Sequence, residues 1–249
     1  MGIIGLGGIA ALLGLFFAKK EKKNEPPIIG LGPETPLKEF LVPTNPILFR
    51  KAVVANCYSI VGVSATRYRD IFLEILGPPT KGLRWDLDRP FRVWKNEQGE
   101  YQTEGVSTCG LVGEGIQRRM GSLCAALRAP YDWRGKHAAI SRMIQCAHDM
   151  GAWVPGSKEP PLPGDYTVIG EGLSTHALTV VAVRGNTIIS VDGGQVDPET
   201  GLQCVGLVSR PLNNGFIGSR KIYGHMSCVR GDYGPTMIAP VGWEKLVLG

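Results

Sequence analysis

The chain has 249 residues, 43% apolar and 20% charged, a globular balance that excludes a low-complexity or intrinsically disordered polypeptide. Its net charge is +5, but Lys19, Lys20, Glu21, Lys22 and Lys23 carry +3 of it (four lysines less one glutamate), and the remaining +2 excludes the broad basic surface of a nucleic-acid-binding protein. The six cysteines, Cys57, Cys109, Cys124, Cys146, Cys204 and Cys228, form no C-x-x-C pair, which excludes a zinc knuckle or a dithiol redox motif. They are too sparse for a disulfide scaffold and read as mostly free thiols, with room for one or two bridges.

Residues 1–18, MGIIGLGGIAALLGLFFA, carry no charge and are followed at once by KKEKK. That length spans a bilayer, and basic residues on the C-terminal side place that side in the cytoplasm. No basic residue precedes the run and no A-x-A site follows it, so it does not read as a secretory signal, and Leu6 breaks the myristoylation pattern. The competing expectation is an apolar packing helix, with Gly2, Gly5, Gly7, Gly8 and Gly14 allowing close approach. Residues 19–42, basic and then rich in proline and glycine, read as a linker, and the folded body is expected over 43–249.

Within the body, Tyr68, Ile71, Phe72 and Ile75 share one helical face and Gly77 is a stop, so 65–77 is predicted as a helix. A hairpin is expected around Glu97–Gly99, then a helix from Cys109 to Arg128 and another over 136–151. After PGSKEPPLPGD the apolar period changes from 3.6 to 2: YTVIG, HALTVVAV, TIISV and QCVGLVSRPL read as strands, the second and third joined by a turn at Arg184–Asn186. Helices followed by a meander predict an α+β domain, its N-terminal helices packed on an antiparallel sheet.

Three residues in this frame carry chemistry. Cys109 opens a helix, with Ser107 or Thr108 as a hydroxyl cap, and the positive end of the helix dipole favours a nucleophilic thiolate. The bland alternative is a buried thiol, since Cys109, Val112, Gly113, Ile116 and Met120 form one stripe. His176 starts an apolar strand, where a ring can project to the sheet edge as a base or serve structurally. Asp192 ends the next strand, and antiparallel pairing returns it towards His176, where it could fix the imidazole tautomer or merely begin a DGG turn. His137 and His148 are too far apart along a helix to share a metal, and Gly113-Glu114-Gly115 is no phosphate loop. Arg118 and Arg119 read as a solvated face, and His225 has no evident partner.

The order of cysteine at a helix start, histidine on one hairpin strand and a polar residue on the next resembles the papain-like cysteine-peptidase superfamily, in particular its NlpC-type cell-wall peptidases and CHAP amidases. The matching stretches are TCGLV for the cysteine helix, LPGDYTVI for the Pro-Gly-Asp turn and strand, HALTVV for the histidine strand and RYRDIFLEILGPP for the preceding helix, spanning 65–195. The resemblance implies Cys109 as nucleophile, His176 as general base and Asp192 as orienting residue, with Gln195 the runner-up for the third role. It departs at Gly110, where the family's usual residue is serine. An upstream oxyanion side chain would have to come from Tyr101 or Gln102, neither at the family spacing.

The implied activity is thiol-dependent amide hydrolysis of peptidoglycan peptides, with no metal or organic cofactor. The alternative keeps the papain-like domain without catalysis, as a membrane-attached or virion structural or binding protein. A transferase or amidase on a cytosolic substrate is the third expectation, because basic residues after 1–18 place the body on the cytoplasmic side. Membrane or virion association is expected over a freely soluble protein.

Overall fold

The computed structural model describes residues 31–79, 108–129, 138–156, 158–171 and 175–248, the isolated residues Trp85, Leu87, Asp88 and Gln98, and the backbone of 92–95 and 101–104. The expected apolar segment 1–18 lies outside the described residues. Among those described, no helix is long and apolar enough to cross a membrane.

In chain order the elements are β1 (Leu37–Leu41), α1 (Pro46–Tyr58), α2 (Arg69–Leu76), β2 (Arg92–Lys95), β3 (Tyr101–Glu104), α3 (Cys109–Arg119), α4 (Ala125–Arg128) and α5 (Ala138–Asp149). There follow β4 (Trp153–Pro155), β5 (Tyr166–Ile169), β6 (His176–Arg184), β7 (Thr187–Val196), β8 (Gln203–Asn213), β9 (Phe216–Ile217), β10 (Arg220–Met226) and β11 (Thr236–Pro240). The chain is α+β. Strands β10-β5-β6-β7-β8-β9 pair antiparallel in that order, and β9 pairs back to β10, closing a barrel; β4 adds to the outside of β10.

Alternation along the strands divides the core in two. Ile169, Leu178, Val180, Ile188, Ile217 and Ile222 fill the barrel. On the outer face, Val181, Ile189 and Val191 pack with α1, α2 and α3. The N-terminus of α1 follows from Asn45, whose side chain accepts from the Ile47 and Leu48 amides at 2.9 and 3.2 Å, with Pro46 in the first turn.

Three expectations are corrected. The linker expected over 19–42 overlaps β1, which pairs with β11 from Leu37↔Pro240 to Leu41↔Thr236, so the body begins before residue 43. The single helix expected over 109–128 is two. Gly121 takes φ +76 and Ser122 N donates to Gln117 O, a left-handed C-terminal cap that ends α3 before α4 restarts. Arg118 and Arg119 are not a solvated face. Arg119 is 4% exposed and donates through Nε and Nη2 to Glu74, each at 3.0 Å, while Arg118 reaches the Ile75 carbonyl and Glu114. Cys124 and Cys146 form a disulfide tying the start of α4 to α5, within the room the sequence left for one or two bridges, and the other four cysteines are unbridged.

Candidate active site

Helix α3 is the central element, and three glycines let it lie close to its neighbours. A Cβ on Gly110 would come within 2.8 Å of Ala139 Cβ and 3.0 Å of Ile140 N on α5. One on Gly113 would enter the Tyr166 ring, and one on Gly115 would meet the Ile75 carbonyl. Glycine at position 110, where the resembling family usually has serine, is thus required by the α3–α5 contact.

The helix start is fixed from below. Thr108 stands at the N-cap position, but its hydroxyl makes no capping bond, contrary to expectation. It accepts from Gly194 N at 2.8 Å and donates to Gln203 Oε1 at 3.1 Å, and the same Gln203 oxygen accepts from Thr108 N at 3.0 Å. A Cβ at Gly193 would lie 2.5 Å from Thr108 O, so the DGG stretch is a close approach of β7 to α3 rather than a free turn. The other expected cap, Ser107, lies outside the described residues.

Cys109, outside the disulfide and 7% exposed, is packed with Tyr166 and Ala177. It reaches the end of β6, where its side chain hydrogen-bonds His176. His176 Nε2 donates to Asp192 Oδ2 at 2.7 Å, which leaves Nδ1 as the ring nitrogen for the thiol. Asp192 is fully buried, and three further hydrogen bonds surround it. Arg210 Nη2 donates to Oδ2 at 2.6 Å, Ser190 Oγ donates to Oδ1 at 2.6 Å, and Arg210 Nη1 donates to Ser190 Oγ at 3.0 Å.

The electrostatics follow from this arrangement. Burial opposes charge on His176. The hydrogen bonds to Asp192 and Cys109 and their negative charges outweigh it, and the imidazole pKa rises from 6.5 to about 9. Burial also opposes charge on Asp192, but His176 and Arg210 outweigh it and hold the carboxyl below its usual range. At neutral pH the site therefore holds an imidazolium bonded to the Asp192 carboxylate on one side and to the Cys109 sulfur on the other.

The structure brings together Cys109, His176 and Asp192. Gln195 lies beyond a bulge in β7 and packs over Gly206, where a Cβ would be 2.9 Å from Gln195 Cγ. Tyr101 and Gln102 lie on the β2–β3 hairpin, opposite Lys95 and Trp94, with side chains outside the described residues. Their expected oxyanion role is therefore not placed. His225 does have a neighbour: its Nε2 is 3.6 Å from Asp165 Oδ2. Asp165, of the Pro-Gly-Asp turn, also takes Arg50 Nη1 at 2.7 Å, Leu162 N at 2.8 Å and Cys228 N at 3.1 Å, so that motif is an anchor for the strand. Among the described residues no group of three or more His, Cys, Asp or Glu side chains could hold a metal.

Sequence reasoning missed Thr108 as a strut, Gln203, Ser190 and Arg210. Arg210 left a readable signal. On β8 it alternates with Val208 and Leu212, so its charge falls on a face that otherwise turns into the barrel.

Comparison of the chain with protein-family models, with curated proteins and with solved structures finds no match.

Proposed function

We propose that the chain is a thiol-dependent amide hydrolase of papain-like type, acting through an acyl-enzyme on peptidoglycan peptides. The observation that carries this reading is the line Cys109–His176–Asp192, with the imidazole bonded to the thiol on one side and to a buried carboxylate 2.7 Å away on the other.

In the proposed reaction the Cys109 thiolate attacks the amide carbonyl, and the new C–S bond places negative charge on oxygen. The first intrahelical bond of α3 runs from Val112 N to Thr108 O, so the Cys109 amide lies ahead of the ladder, at the base of the nucleophile, where an oxyanion donor is needed. The C–N bond breaks as the His176 imidazolium gives its proton to the leaving amine. Neutral His176 then takes a proton from water, hydroxide attacks the thioester, and the C–S bond breaks to release the carboxylic acid and restore the thiolate beside the imidazolium. Arg210 and Ser190 keep Asp192 ionised and aimed through both protonation states of the ring.

The 7% exposure of Cys109 is the observation that favours the alternative, a non-catalytic membrane-attached or virion structural domain. Digestion of purified peptidoglycan, with products identified by mass spectrometry, separates the two. New muropeptides from the parent protein and none from Cys109→Ala are expected. Identical digests from both would overturn the hydrolase reading.

A further inference from the structure

Among the described arginine side chains, Arg220 alone has no ion-pair or hydrogen-bond partner. It begins β10 opposite Ile217, whose side chain lies in the barrel interior, so it shares the inner face. Two residues on, Ile222 lies opposite Ile169, and Ile169 lies opposite His176. Arg220 therefore sits one pleat beyond the row that carries His176, two strands away, or about 10 Å across the sheet, a span that an arginine side chain substantially shortens. Arg210 reaches the turn that leads into β10: a Cβ at Gly218, two residues before Arg220, would lie 3.8 Å from Arg210 Cδ. Arg210, however, is already committed to Asp192 and Ser190, whereas Arg220 is exposed and uncommitted. Its guanidinium pKa is lowered, first by partial desolvation and then by the like charge of Arg210, while the negative charges of Cys109 and Asp192 act the other way. An exposed, unpaired guanidinium on the face that carries His176 is a ready partner for a planar anion.

We propose that Arg220 binds a carboxylate carried by the substrate within a few bonds of the scissile carbonyl, which makes the site selective for peptides with a free acidic group next to the cleaved amide. This rests on the thiol-hydrolase reading of Cys109. The guanidinium takes the carboxylate in a forked contact and draws the carbonyl over the thiol, and Lys221, on the opposite face of β10, takes no part.

Two small probes test it on the intact protein: iodoacetate, which carries the carboxylate, and iodoacetamide, which does not. Modification is followed at the Cys109 peptide by mass spectrometry, and each rate is referred to glutathione. The iodoacetate-to-iodoacetamide ratio in the parent should exceed that of glutathione and fall roughly threefold to tenfold in Arg220→Gln. It should survive in Arg220→Lys and in the control Lys221→Gln. Rapid reaction with iodoacetamide and a ratio unchanged in Arg220→Gln would overturn the inference and leave the hydrolase reading standing. A Cys109 that reacts with both reagents no faster than glutathione would overturn both.

Discussion

Asp192 and Thr108 hold the two halves of the site from different elements: the carboxylate fixes the imidazole, and the hydroxyl fixes the helix that carries the thiol. The carboxylate is the more consequential, because it decides the charge of His176. In the proposed hydrolysis the leaving amine needs a protonated ring. With a folded-state pKa of about 9, above the ordinary 6.5, the imidazolium is present throughout the neutral range and is lost as pH rises through about 9. Turnover by the parent should therefore fall on an alkaline limb near that value. In Asp192→Asn the pull of the carboxylate is gone and burial dominates, so the limb moves towards acid and turnover falls about 10²- to 10⁴-fold. A pH–rate profile of the two proteins checks both parts, and an unmoved limb would mean that Asp192 does not act through the ring.

At the scale of the element, α3 is defined by what it lacks. Gly110, Gly113 and Gly115 give it poor intrinsic helix propensity, and the close contacts they permit with α5, β5 and α2 replace what propensity does not supply. The serine that the resembling family carries after its cysteine cannot be accommodated here without displacing Ala139 or Ile140. Gly110→Ser should lower stability by about 1–3 kcal/mol, read as a drop in denaturation midpoint, and reduce turnover because the shift is felt at Cys109. A variant as stable as the parent would show that α5 can yield. The strands β5 to β8 were legible because each is a continuous run with period 2, and the tight turn at Gly185, φ +53, is what the sequence there demands. The break in α3 was not legible, since the apolar pattern runs on through Gly121. What ends the helix is the left-handed glycine, whose backbone also lies against the Thr236 carbonyl.

At the scale of the molecule, the barrel and the helix layer meet along β6 and β7, and the site lies on that seam, with His176 at the start of β6 and Asp192 within β7 just before its bulge. Pairing of Cys109 with His176 and Asp192 was readable because a hairpin returns its second strand to its first. Barrel closure was not, because it depends on a two-residue strand, Phe216–Ile217, and the pairing of β1 with β11 joins segments nearly two hundred positions apart. Sequence reading left room for a bridge but not its partners, since nothing local distinguishes Cys124 and Cys146 from the other four. It closes a loop with a sequence separation of 22 between α4 and α5. Loop-closure entropy assigns such a link about 3 kcal/mol. Reductant should lower the denaturation midpoint accordingly, and a midpoint indifferent to reductant would show the link to be dispensable.

The central claim is that Cys109 and His176 share charge. It is tested most directly by the NMR titration of the His176 ring protons in the parent and in Cys109→Ala; with only four histidines in the chain, the signal is assigned by its loss in a His176 variant. A midpoint of about 9 in the parent that falls when the thiol is removed is the predicted result. An ordinary midpoint near 6.5, the same in both proteins, would contradict the account.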